Sequence, residues 1–152
     1  MKKLLILILL CLTLTGCIFS KKQHDGKTRI YLSDKYYHSG EFIKVDNKSL
    51  EKLNKDNYIL FIYNPYCNLP ISCEKIFEEF MKKYNIDFLS IPFDKFKETK
   101  YYDKIKYAPS IIIIKEGEII DYLDANSDED FKKYQDVSEF EKWLDNYVYF
   151  GK

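Results

Sequence analysis

The sequence has no surplus of charge: Lys+Arg 24 against Asp+Glu 24 gives a formal net charge of +0 over 152 residues. A basic face for nucleic acid therefore has no compositional support. Histidine is scarce, with only His24 and His38. A metal site needs three or four converging ligands, so no metal and no other cofactor is expected. Internal repeats are absent, which leaves a single domain of a length able to bury its own core. The apolar run from Leu4 to Leu14, broken only by Cys11 and Thr13, falls short of the roughly 20 residues that a bilayer-spanning helix takes. Cysteine is limited to Cys11, Cys17, Cys67 and Cys73, and these do not form one set.

What is present is a globular composition, 46% hydrophobic and 17% aromatic. Its organising stretch is Tyr58-Ile59-Leu60-Phe61-Ile62-Tyr63-Asn64-Pro65-Tyr66-Cys67. The unbroken run to Tyr63 predicts a strand buried on both faces, inside an α/β sheet. Asn64 and Pro65 stop it. From Cys73 onward, Ile76, Phe77, Phe80, Met81 and Tyr84 form one helical stripe. A cysteine between a buried strand and a helix start is chemically special. The partial positive charge and unpaired N–H groups of the helix N-terminus favour thiolate over thiol.

The N-terminus reads as an export segment: Met1-Lys2-Lys3 followed by a short apolar region. It ends in Leu14-Thr15-Gly16-Cys17, which resembles the lipobox of bacterial lipoproteins. That resemblance implies removal of residues 1–16, diacylglycerol on the Cys17 thiol, and a lipid-anchored location on the outer face of the cell membrane. Loss of Lys2 and Lys3 leaves 22 basic against 24 acidic residues, a net charge of −2. Disulfides persist in that compartment. Residues 17–40 are polar and mixed, as in a flexible tether, with Ile30-Tyr31-Leu32 a short strand candidate and Tyr36-Tyr37 expected to pack onto the domain; the domain is expected over 41–152.

Within that domain, Phe42–Val45 predicts a strand, and Asp46 or Asn47 caps a short helix through Lys55. Asn85 is a C-cap for the helix 73–84. A strand is expected over 86–91, a loosely amphipathic helix over 94–105, and a fully buried strand at Ile111–Ile114. Lys115-Glu116-Gly117-Glu118 predicts a hairpin turn leading into a partner strand 119–123. Residues 124–135 read as an acidic, polar segment, a mobile loop or an irregular turn. Asp136-Val137-Ser138-Glu139 fits a capping box for a last helix whose apolar face is Phe140, Trp143, Leu144, Tyr147 and Val148.

This order resembles the thioredoxin-like superfamily over about residues 41–150. Cys67 ends a hydrophobic strand and opens a helix, Ala108-Pro109-Ser110 precedes a strand as that family's cis-proline does, and a glycine-bearing hairpin and amphipathic helix close the domain. The resemblance implies an α/β three-layer fold with a central mixed sheet flanked by helices. The family motif is C-x-x-C, whereas Cys67-Asn68-Leu69-Pro70 puts a proline at the second position, and the next cysteine makes C-x5-C. Two registers are open. If a helix begins near Asn68, Cys67 and Cys73 stand about 9 Å apart at about 1.5 Å per residue, beyond the disulfide limit of about 7 Å between Cα atoms. If Asn68 to Ser72 form an enlarged loop, Cys73 opens the helix behind Ser72 as N-cap. Pro70 favours the loop, since proline is tolerated only in a helix's first turn.

Three readings follow. In the first, Cys67 is the nucleophile and Cys73 the resolving thiol of a thiol–disulfide oxidoreductase. Tyr66, Ala108 and Pro109 then touch substrate, as the resemblance implies. Partners would be exported proteins with thiols or disulfides, and a membrane redox protein. In the second, the domain is a non-catalytic binding or accessory lipoprotein, similar to thioredoxin-like proteins encoded near bacteriocin export genes. The third, a metal carrier using two thiolates and a histidine, is weakened by the position of both histidines outside the later half of the chain.

Overall fold

Two strands without a polar interruption set the centre of the molecule. The computed structural model describes residues 29–65, 70–124 and 126–151. The expected signal segment 1–16, Cys17, the tether up to residue 28, Tyr66 and Cys67 lie outside them. Asn57–Tyr63 forms β2 and Ser110–Lys115 forms β4. Ile59, Leu60 and Ile62 of β2 and all four isoleucines of β4 are fully buried, as strands covered on both faces require. The two pair antiparallel from Asn57↔Lys115 to Ile62↔Ser110.

Around this pair the sheet has the order β1-β3-β2-β4-β5. β1 is Phe42–Lys44 and β3 is Phe88–Pro92; β1 runs parallel to β3, and β3 parallel to β2. β5, Glu118–Leu123, returns antiparallel to β4. The turn between them holds Glu116 at φ 49° and Gly117 at φ 81°, the two left-handed residues that a tight hairpin needs.

Strand alternation sends side chains to two helical layers. Phe61 points toward α2 (Cys73–Tyr84) and α5 (Val137–Leu144), meeting Phe77 with ring centroids 5.1 Å apart. Phe77 and Phe80 in turn pack on Phe140 at 4.8 and 5.2 Å. Tyr58 points the other way, toward the 3-10 turns Asp34–Tyr36 and Lys100–Asp103, and its hydroxyl lies 3.1 Å from that of Tyr101. The result is the expected mixed sheet between helical layers. Asp46 caps α1 (Asn47–Glu51) through Ser49 N, and Asp136 caps α5 through Glu139 N. Asn85 ends α2 in the left-handed region, at φ 52°.

Four expectations change. The helix over 94–105 is broken into α3 (Phe93–Phe96) and the 3-10 turn at Lys100–Asp103. Thr99 interrupts it with extended backbone, while its hydroxyl donates to Phe96 O at 2.8 Å, competing with the helical pattern. The segment 124–135 contains α4 (Asp128–Phe131) and a 3-10 turn at Lys132–Tyr134. The strand candidate at Ile30–Leu32 is a single bridge, Ile30 to Val148. Finally, Ile30 and Leu32 are buried in the common core, so the packed unit extends N-terminally past residue 40; Tyr36, buried there too, and Tyr37, packed against it, sit as expected.

Candidate functional site

Ile62, at the far end of β2, pairs with Ser110, the first residue of β4. The exit of β2 through Asn64 and Pro65 and the entry to β4 through Ala108-Pro109 are therefore at one end of the sheet. The Ala108–Pro109 bond is cis. Ser110 Oγ donates to Tyr107 O at 2.8 Å and closes the turn. Ala108 is half-buried and Pro109 buried.

Past the exit of β2, the described chain resumes at Pro70. Residues 70–72 are outside the helix, and α2 opens at Cys73. Of the two registers, the one with Cys73 at the helix start is observed. Ser72 takes the N-cap position with extended backbone, but its side chain makes no capping bond; its carbonyl accepts from Lys75 N at 3.0 Å. Cys73 is 3% exposed. It lies one turn before Phe77 on the inward stripe of α2, which is what buries it.

Residues that the sequence had placed in a mobile loop or irregular turn tie these parts together. Tyr134 is 3% exposed. Its ring meets Phe77 edge-on at 6.1 Å. Its hydroxyl lies 3.1 Å from Pro109 O and 2.8 Å from Leu123 O, donating to these two carbonyls. Burial pushes the Tyr134 hydroxyl well above its ordinary value; the charge of a Cys73 thiolate and the Asp130 carboxylate push the same way, against a hydrogen bond with Ser110. Tyr134 is thus a protonated donor lying within electrostatic reach of Cys73 and bonded to the cis-proline loop. The next residue, Gln135, pairs with both backbone groups of Ile71: Ile71 N donates to Oε1 at 3.1 Å, and Nε2 donates to Ile71 O at 2.9 Å.

Among the sequence-predicted site residues, Cys73, Ala108 and Pro109 are thus at one end of the molecule, while Tyr66, Cys67 and Cys17 lie outside the described residues. Tyr134 and Gln135 were missed. The signal was available: Ser127-Asp128-Glu129-Asp130 is an acidic first turn, with Phe131 and Tyr134 spaced i, i+3 behind it. Ile71 and Tyr107, which adjoin the two loops, are 46% and 50% exposed. His38 is exposed, and among the described residues no three His, Cys, Asp or Glu side chains group as a metal site would. No helix among them is long and apolar enough to cross a membrane.

No family model matches the chain, and no curated protein does. Solved structures do match. The long form of thioredoxin f from spinach chloroplast superposes with a TM-score of 0.53 at 13% identity, over 78% of this chain and 96% of its own. Thioredoxin from Schistosoma mansoni gives 0.50 at 22% identity, over 73% of this chain and 99% of its own. Thioredoxin from Malassezia sympodialis gives 0.50 at 13%, over 74% and 93%. Identities this low establish the fold: the chain has a thioredoxin fold.

Proposed function

We propose that this chain is a thiol–disulfide oxidoreductase working through Cys67 and Cys73, held on the outer face of a membrane by a lipid on Cys17. One observation carries the reading. A buried cysteine opens a helix at the end of the sheet where a cis-proline loop enters, and Tyr134 links that loop to the cysteine's surroundings.

The Cys67 thiolate attacks one sulfur of a substrate disulfide. A Cys67–substrate bond forms, and the other substrate sulfur leaves as a thiolate that takes up a proton. The Cys73 thiolate then attacks Cys67 Sγ, forming the Cys67–Cys73 disulfide and releasing the second substrate sulfur, which is protonated in turn. The substrate gains two electrons and two protons, and the cysteine pair loses them. The reverse sequence oxidises a substrate dithiol. A dithiol or disulfide membrane protein, according to direction, returns the pair to its starting state. Cys73 need only reach Cys67, so its burial suits a resolving role. The backbone of Ala108 pairs with an extended substrate chain and Tyr66 and Pro109 adjoin it, as the resemblance implies, while the exposed Ile71 and Tyr107 offer apolar contact. Substrates are exported proteins bearing thiols or disulfides.

A Cys73→Ala variant tests this, since it strands the mixed disulfide on Cys67. Expected are adducts that dissolve on reduction and are absent when Cys67→Ala is added. The burial of Cys73 at 3% also suits a structural thiol in an accessory binding protein, and an absence of adducts would favour that reading. Cys17→Ala should move the protein from the membrane to the soluble fraction; a variant that stays on the membrane would remove the lipid anchor from the account.

A further inference from the structure

We propose that Gln135 is a positioning residue of this site, its side-chain amide serving as a stand-in for a neighbouring strand that fixes the Ile71 peptide and so sets the approach of Cys73. The inference deepens the redox reading and rests on it for the role of Cys73.

A carboxamide carries a C=O acceptor and N–H donors, the two kinds of group that a backbone peptide presents. Gln135 uses both kinds on one residue, accepting from Ile71 N at 3.1 Å and donating to Ile71 O at 2.9 Å. Two antiparallel strands bond in this way at a hydrogen-bonded pair. A second donor bond, Nε2 to Tyr134 O at 2.9 Å, fixes the amide on its own backbone. Ile71 has no place in the sheet or in α2, and among the described residues this pair holds the peptide two residues before Cys73. The neighbouring side chain does the same for the opposite loop: Tyr134 Oη donates to Pro109 O and Leu123 O. One dipeptide therefore bonds both the Ile71 peptide and the cis-proline carbonyl. Neither bond of Gln135 is needed for the core, since Ile71 is 46% exposed.

The test uses the full chain with Gln135→Ala and Gln135→Glu. A carboxylate at 135 still accepts from Ile71 N but has no proton for Ile71 O, so Glu should fall between glutamine and alanine. The first readout is the rate at which iodoacetamide alkylates Cys73 across pH, followed by peptide mass spectrometry. The second is the equilibrium of the Cys67–Cys73 pair with glutathione. Expected for Gln135→Ala is a change of about tenfold in the glutathione equilibrium, about 30 mV for a two-electron couple. The alkylation profile should move with it, while the thermal midpoint stays at the wild-type value. An alkylation profile identical to wild type, or a change matched by an equal loss of global stability, would overturn the positioning role. If alkylation moves in the variant but wild type forms no disulfide with glutathione, Gln135 keeps its role and the redox reading fails, so the two failures are separable.

Discussion

Tyr134 Oη lies 3.1 Å from the carbonyl of Pro109 and 2.8 Å from that of Leu123, on a side chain 3% exposed. The two carbonyls come from the loop entering β4 and from the end of β5, so one hydroxyl closes the gap between them. Tyr134→Phe keeps the ring against Phe77 and removes the donor. An unsatisfied buried acceptor costs about 1–3 kcal/mol, and urea denaturation should show a loss in that range with unchanged far-UV dichroism.

Phe77 occupies the junction of sheet and helices, 5.1 Å from Phe61 and 4.8 Å from Phe140, and is fully buried. Phe77→Ala removes a ring that three elements share. The expected loss is about 3–5 kcal/mol, read from the denaturant midpoint. A loss below about 1 kcal/mol would mean that the site's supporting layer repacks freely.

Gly40 sits at φ 74°, and a Cβ there would stand 2.6 Å from Met81 O and 2.9 Å from Lys82 Cα. The segment around it is pinned by the Asp87 carboxylate, which accepts from Ser39 N at 3.1 Å and Glu41 N at 2.9 Å. Backbone on both sides leaves no room to yield. Gly40→Ala should therefore destabilise by about 1–3 kcal/mol, and the thermal midpoint checks it.

Three buried tyrosines give the stability a pH edge. Burial, first of all, holds Tyr58, Tyr134 and Tyr147 above the ordinary tyrosine value of 10.0; Tyr101 adds to it for Tyr58, and Asp121 for Tyr147. Below that value the folded and unfolded chains both keep these protons. As pH rises past it, the unfolded chain ionises them while the fold does not, so unfolding releases protons and stability falls. The thermal midpoint should drop steeply above about pH 10, with tyrosinate absorbance rising together with unfolding rather than before it.

The parts legible in the sequence are those where one signal dominates. Tyr58–Tyr63 and Ile111–Ile114 have no polar residue to place outward, so only a doubly covered strand suits them. The stripes at Ile76, Phe77, Phe80 and at Phe140, Trp143, Leu144 left little choice of helix face. Ala108-Pro109 marked the cis bond through its context rather than its composition. Where local bonding decided the outcome, the pattern misled. Thr99 looked like one more helical residue, and its hydroxyl bond to Phe96 O ended the helix. The acids at 124–130 looked like solvated loop, yet Asp130 accepts from Asp124 N at 2.9 Å and Lys133 Nζ donates to Asp130 at 2.6 Å, bonds that fold the segment and carry Tyr134 inward. Tyr134 and Gln135 reach the site across more than 60 residues from Ile71, a distance over which neither periodicity nor capping rules speak.

The central claim is that Cys67 and Cys73 form a pair poised for exchange, and the reduction potential of the purified protein in glutathione buffers tests it most directly. The account predicts a reversible two-electron couple between about −270 and −120 mV, the span of thiol–disulfide enzymes. A potential below about −300 mV, as in disulfides that serve structure alone, or no disulfide between these two cysteines at any ratio of the buffer, would contradict it.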